Sequence, residues 1–225
     1  MAGKIVQFAS DGGTSEGYQA LPGTRKGRGV IVLQEWWGLV DHIKDVADRF
    51  SKEGFVTLAP DLYHGKTTTS PDTAGKLFMA LNIAQVEKDL RGAVDYVLRI
   101  PECQGNKVGI VGFCMGGQLS LYAACTNASV GACVVYYGIH PNVHPEIARL
   151  QAPVLGFFGD KDTSVPPQAV RKLEDELRAN SKQAEFHVYK GANHAFFNNT
   201  RPEVYDDSSA KDSWKRMLEF FRKAL

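Results

Sequence analysis

The chain has 225 residues, 44% of them hydrophobic and 23% charged, the composition of an ordinary soluble globular protein with material for a sizeable core. Lys and Arg (26) nearly balance Asp and Glu (25), and a net charge of +1 offers no basic face to phosphates or anionic lipid, so neither nucleic acid nor membrane is an expected partner. No stretch approaches the ~18 apolar residues of a membrane span, the opening M-A-G-K-I-V-Q-F-A-S lacks a signal-peptide core, and four cysteines without a C-x-x-C pair read as free thiols, which together predict a cytoplasmic protein.

Short β-rich runs alternate with amphipathic stretches, the pattern of a mostly parallel eight-stranded sheet with helices on both faces. No Gly/Ser- or Pro-rich linker interrupts it, so residues 1–225 are expected to be a single domain. The first runs, KIVQFA from Lys4 and SEGYQAL from Ser15, are predicted to form an antiparallel hairpin turning at D-G-G from Asp11. VIVLQ from Val30 is the third strand. A helix over residues 41–54 follows, with Asp41 as N-cap, Gly54 as stop, and Ile43, Val46, Ala47 and Phe50 at helical spacing toward the sheet. FVTLAP from Phe55 is the fourth strand. Residues 60–79, which include H-G-K-T-T-T-S-P-D from His64, form the longest irregular stretch and are expected to lie as a loop over a cleft. Beyond it come a helix (82–99), a strand (107–113), a helix (116–127), two strands (132–138 and 153–159), a helix (166–180), a strand (184–190) and a closing helix (208–225).

The strand over 107–113 runs into G-F-C-M-G, and the following G-Q-L-S-L-Y-A-A-C reads as helix, so cysteine stands where a G-x-nucleophile-x-G turn holds its nucleophile. Gly112 and Gly116 fit that turn, because strand and helix cross there too closely for side chains. The turn would lift the Cys114 thiol to a helix N-terminus, where unpaired N–H groups favour negative charge. Cysteine at a strand end is more often buried filler; the flanking glycines at this particular turn favour the nucleophile.

If Cys114 is a nucleophile, the chain order of such folds requires an acid after a later strand and a histidine after the next. G-D-K-D-T-S-V-P from Gly159 offers Asp160 and Asp162, and G-A-N-H-A-F-F from Gly191 offers His194. The other histidines read differently. His140 and His144 have a metal-like spacing, but Pro141 and Pro145 disfavour the helix that would align them, so they read as loop residues and no metal is expected. His42 reads as a helix cap and His64 as a loop residue that lines the cleft.

These residues resemble the dienelactone hydrolase (carboxymethylenebutenolidase-like) family of α/β-hydrolases over most of the chain: Q-E-W-W-G-L from Gln34, A-P-D-L-Y from Ala59, G-F-C-M-G-G from Gly112, G-D-K-D-T-S-V-P from Gly159 and N-H-A-F-F from Asn193. The resemblance implies an α/β-hydrolase fold and a Cys114, His194, Asp162 triad, with Asp162 the acid at the family's position. It also implies that Glu35 modulates the thiol and that the backbone N–H groups of Trp36 and Met115 form an oxyanion hole. Trp37, His64, Phe78, Phe196, Asn198 and Arg201 are the candidates for the substrate pocket.

One departure stands out. The family's carboxylate-gripping arginine four residues after the histidine is Asn198 here, Arg201 lies three further on, and S-P-D-T-A-G from Ser70 holds no basic residue where the second arginine is expected. The acyl chemistry carries over; the charged clamp for the family's namesake substrate is not matched. The expected activity is hydrolysis of a small-molecule ester or lactone through a thioester acyl-enzyme, without cofactor, by a monomer or weak homo-oligomer. A broad carboxylesterase, a thioesterase, or a non-catalytic thiol sensor or binding module are the competing expectations.

Overall fold

The computed structural model of the protein describes residues 3–11, 13–23 and 26–225. Among them, eight strands form one sheet in the order β1-β2-β4-β3-β5-β6-β7-β8: β1 (Lys4–Ser10), β2 (Gly13–Ala20), β3 (Gly27–Leu33), β4 (Val56–Pro60), β5 (Cys103–Phe113), β6 (Val130–Tyr136), β7 (Val154–Gly159) and β8 (Ala184–Tyr189). β1 and β2 pair antiparallel, as do β2 and β4, and every other pairing is parallel. Gly12, inside the expected hairpin turn, lies outside the described residues.

Among the described residues six α-helices accompany the sheet: α1 (Asp41–Lys52), α2 (Pro71–Met79), α3 (Ile83–Arg99), α4 (Met115–Thr126), α5 (Pro167–Ala179) and α6 (Asp207–Ala224). Strand alternation sorts the core into two layers. Ile31, Leu33 and Ile110 face the side covered by Val86 and Leu90 of α3, Leu119 of α4 and Leu177 of α5. Val30, Val32 and Val111 face the side covered by Ile43, Val46 and Phe50 of α1 and Met217 and Phe221 of α6. Each such side chain stabilises the fold by roughly 1.5–3 kcal/mol when fully buried. With both faces occupied, polar chemistry is left to the strand ends.

Three expectations change. Residues 60–79 are not one loop, because Pro71–Met79 form α2: Ser70 Oγ accepts the Thr73 N–H at 3.4 Å and Pro71 fits the first turn. Thr73 and Gly75, poor helix formers, mask the helix in the sequence. Asp41 is not the N-cap of α1; Val40, extended at φ −81 and ψ 169, holds that place, and exposed Asp41 lies in the first turn bonded to Lys44. His42 is no cap either. It is buried beside Phe113 and Phe197, and loss of hydration pushes its imidazole down to about 4, so it is neutral.

Register brings the carboxyl ends of five parallel strands together. Leu33 of β3 pairs with Gly112 of β5, so Gln34, Glu35 and Trp36 leave the sheet beside the β5–α4 turn. Phe113 pairs with Tyr136, Tyr136 with Phe157, and Gly159 with Tyr189, which carries the same edge across to β8.

Candidate active site

Cys114 lies between β5 and α4 with φ +54 and ψ −117, a conformation L-residues seldom adopt and one that costs on the order of 1–3 kcal/mol. The surrounding backbone fixes it. Its N–H donates to Tyr136 O at 3.0 Å, and its carbonyl accepts from Gly117 at 2.9 Å and Ile139 at 3.2 Å. The crossing is tight because Gly112 and Gly116 have no side chain: a Cβ on Gly116 would stand 2.6 Å from the Leu33 and Gln34 carbonyl oxygens. Cys114 is 8% exposed, which keeps it largely shielded from bulk water.

Asp162 and His194 come from the loops after β7 and β8. Asp162 Oδ1 accepts the N–H groups of Ser164 (2.7 Å) and Val165 (2.8 Å), which leaves Oδ2 to accept His194 Nδ1–H at 2.7 Å. Asp160 serves the loop instead, its Oδ1 accepting Gly191 N–H at 2.6 Å. Cys114 is the other group that acts on this imidazole. Burial alone would lower the His194 pKa, but its pairing with Asp162 and with Cys114 lifts it to about 10.

Glu35 is 1% exposed at the end of β3. Its Oε2 accepts Asn198 Nδ2–H at 2.6 Å, while Oε1 is buried with no hydrogen-bond partner among the described residues. Burial raises its carboxyl, against the Asn198 hydrogen bond and the charges of His194 and Arg201. Tyr137, buried at φ +36 with its ring 5.0 Å from that of His194, is pushed well above the usual phenol range by burial and then by the charges of Glu35 and Cys114. Tyr63 donates its O–H to Met115 Sδ at 3.3 Å, and burial and the Cys114 charge raise its phenol as well. Neither tyrosine stands out in the sequence as a site residue. The usable signal is a hydroxyl-bearing aromatic directly beyond a strand's carboxyl end.

Among the described residues the N–H groups of Trp36 and Met115 have no protein partner, whereas Gly116 N–H is taken by Gln34 O at 3.1 Å. Trp36 and Trp37 meet edge to face at 5.0 Å, and Phe78 abuts Trp36 at 6.5 Å. His140 ties down this last ring from beneath α2: its Nε2 bonds Phe78 O at 3.0 Å and its Nδ1 accepts Asn142 N–H at 3.1 Å. Asn198 and Arg201 border a cavity with Trp37. His64 points elsewhere, its Nε2 lying 3.1 Å from the buried Asp89 carboxylate. Phe196 is corrected outright: it is fully buried among Tyr136, Tyr137 and Tyr189, a core ring that cannot line a pocket.

The dienelactone hydrolase family model matches residues 15–225. A candidate carboxymethylenebutenolidase of Aquifex aeolicus is 33% identical over 230 residues, covering 99% of each chain. Among solved structures, a candidate dienelactone hydrolase of Klebsiella pneumoniae superposes with a TM-score of 0.87 at 33% identity, covering 97% of this chain and 99% of that one. A dienelactone hydrolase-like promiscuous phosphotriesterase from metagenomic libraries superposes at 0.88 with 26% identity, covering 100% of this chain and 99% of the other.

Proposed function

The chain belongs to the dienelactone hydrolase family, and on that premise we propose that it hydrolyses small esters and lactones through a covalent thioester on Cys114. The observation that carries this reading is the His194 imidazole, bonded to buried Asp162 at 2.7 Å and acted on by Cys114, which the positive-φ turn between β5 and α4 presents. In the first half-reaction His194 takes the thiol proton, Sγ attacks the carbonyl carbon, and the C=O electron pair moves onto oxygen. The Trp36 and Met115 N–H groups, which have no acceptor among the described residues, receive that oxyanion. Collapse re-forms the C=O, breaks the C–O bond, and expels the alkoxide or enolate with the proton from His194.

Acylation changes the base. Once Sγ is bonded to carbon it can no longer carry the negative charge that would favour a proton on His194, and Asp162 alone supports the imidazole. Its proton affinity therefore falls at the step where it must take a proton from water and later pass it on. Water attacks the thioester carbon, the second tetrahedral species collapses, and thiolate and free acid separate. Thiolate leaves more easily than an amine, so amides partition back to substrate and esters go forward.

The test is to quench 4-nitrophenyl butyrate turnover in acid and map the adduct by peptide mass. A butyryl group on Cys114 is expected, with acid released in excess of thiol. A stable adduct without further acid release would make the protein a thiol sensor.

Glu35 acts in this reading as a brake on the thiol. Whenever the Glu35 carboxyl is ionised, its charge opposes a second negative charge on the nearby thiol. Glu35→Gln removes the opposition, so the acid limb of Cys114 labelling by iodoacetamide is expected to move to lower pH. An unmoved limb would leave Glu35 as no more than the partner of Asn198.

A further inference from the structure

A cavity of about 420 Å³ opens beside this site, bounded by Trp37, Thr68, Pro71, Asn198, Arg201 and Glu203. Two residues join it to the reacting groups: Asn198, whose amide holds Glu35 at 2.6 Å, and Trp37, which stands edge-on to Trp36 at 5.0 Å. Among its lining residues two carry charge, and they cancel. Arg201 Nε and Nη2 each lie 2.8 Å from Glu203 Oε1, and the guanidinium carbon lies 5.7 Å over the Trp37 ring.

This arrangement decides what the cavity can hold. The Nε–Nη2 edge is one of the two edges by which a guanidinium can grip a carboxylate in two places, and here Glu203 occupies it. A substrate carboxylate would have to displace Glu203, or approach the remaining edge beside an existing negative charge, with buried Glu35 beyond. An uncharged ester faces neither penalty and gains contact with Trp37, Val40 and Pro71. Folding does not account for the pair, since its side chains are 33% and 58% exposed and such pairs add little stability.

We infer that Glu203 is a specificity-determining residue, which occupies the Arg201 guanidinium and so tunes the cavity to uncharged acyl groups against those bearing a second carboxylate. The inference rests on the ester-hydrolase reading of Cys114 for its catalytic arm, and its binding arm stands without turnover. In the first arm, kcat/KM is measured for 4-nitrophenyl hemisuccinate and 4-nitrophenyl butyrate in the parent, Glu203→Gln, Arg201→Gln and the double variant. Freeing one charge at this range should raise the hemisuccinate-to-butyrate ratio about fivefold or more in Glu203→Gln, with the gain shrinking as salt is added. The double variant should fall back to the parent ratio or below.

In the second arm, glutarate binding is measured by calorimetry. Glu203→Gln should bind it about fivefold or more tightly than the parent, and the double variant should not. A ratio and a glutarate affinity in Glu203→Gln within about twofold of the parent would overturn the assignment. So would a gain that survives intact in the double variant, because Arg201 would then play no part. If the parent turns over no ester, the Cys114 reading fails in the first arm while glutarate still decides the role of Glu203.

Discussion

Cys114→Ala is expected to lower kcat for 4-nitrophenyl butyrate by on the order of 10³ or more, as removal of a covalent nucleophile does in other enzymes of this logic. Alanine keeps the Cβ that the φ +54 turn already accommodates, so the melting temperature should move little and the loss is chemical. The other thiols cannot stand in. Burial raises Cys125 to about 11 and Cys133 to about 12, and it raises half-exposed Cys103 as well, so all three are protonated near neutrality. One iodoacetamide label per parent chain, mapped to Cys114 and absent from the variant, should accompany the kinetic loss. Near-parental turnover in a folded Cys114→Ala protein would remove the thioester route. Labelling spread over the other cysteines would undo the argument that only Cys114 is presented.

The readable parts of the sequence were those whose physics is local. A continuous apolar run followed by G-F-C-M-G identifies a strand entering a turn, because the glycines are needed where β5 and α4 touch. Asp162 and His194 were visible as loop residues after further apolar runs, and the sheet layout followed from the alternation of strands and helices. What stayed hidden depends on distance in space. The Glu35–Asn198 hydrogen bond joins residues 163 apart in sequence, and nothing near either position announces it. Phe196 lay in the same short segment as His194 and passed for a pocket residue, although its turn aims the ring into the core. Arg201 was visible as a cation, while the cancelling geometry of Glu203 two residues on was not. Tyr137 read as the end of a strand because its backbone reversal at φ +36 leaves no trace in an apolar run. The α2 helix differs: Ser70 and Pro71 did announce it, but poor helix formers outweighed the cap.

Gly112→Ala should be the most damaging single methyl group that can be added to this site, costing at least ~3–4 kcal/mol of stability. A Cβ at that position would overlap the carbonyl of Gly116 and stand 2.7 Å from Gly117 N. All of those atoms are backbone of the first turn of α4, so no rotamer change relieves the overlap. Strand and helix must separate, and that movement works against the Cys114 N–H to Tyr136 O bond and the Gly116 N–H to Gln34 O bond that close the turn. The second bond fixes β3 against α4, so the same shift carries Glu35 and Trp36 away from the nucleophile. Gly75→Ala supplies the comparison: a Cβ there meets nothing within 4 Å in the middle of α2. Exchange of glycine for alanine in such a helix position is expected to stabilise by roughly 0.5–1 kcal/mol. Urea unfolding of both variants against the parent reads the two effects on one scale, with ester turnover as the second readout. A Gly112→Ala protein within about 1 kcal/mol of the parent, and still active, would mean that β5 and α4 do not cross as closely as the turn requires.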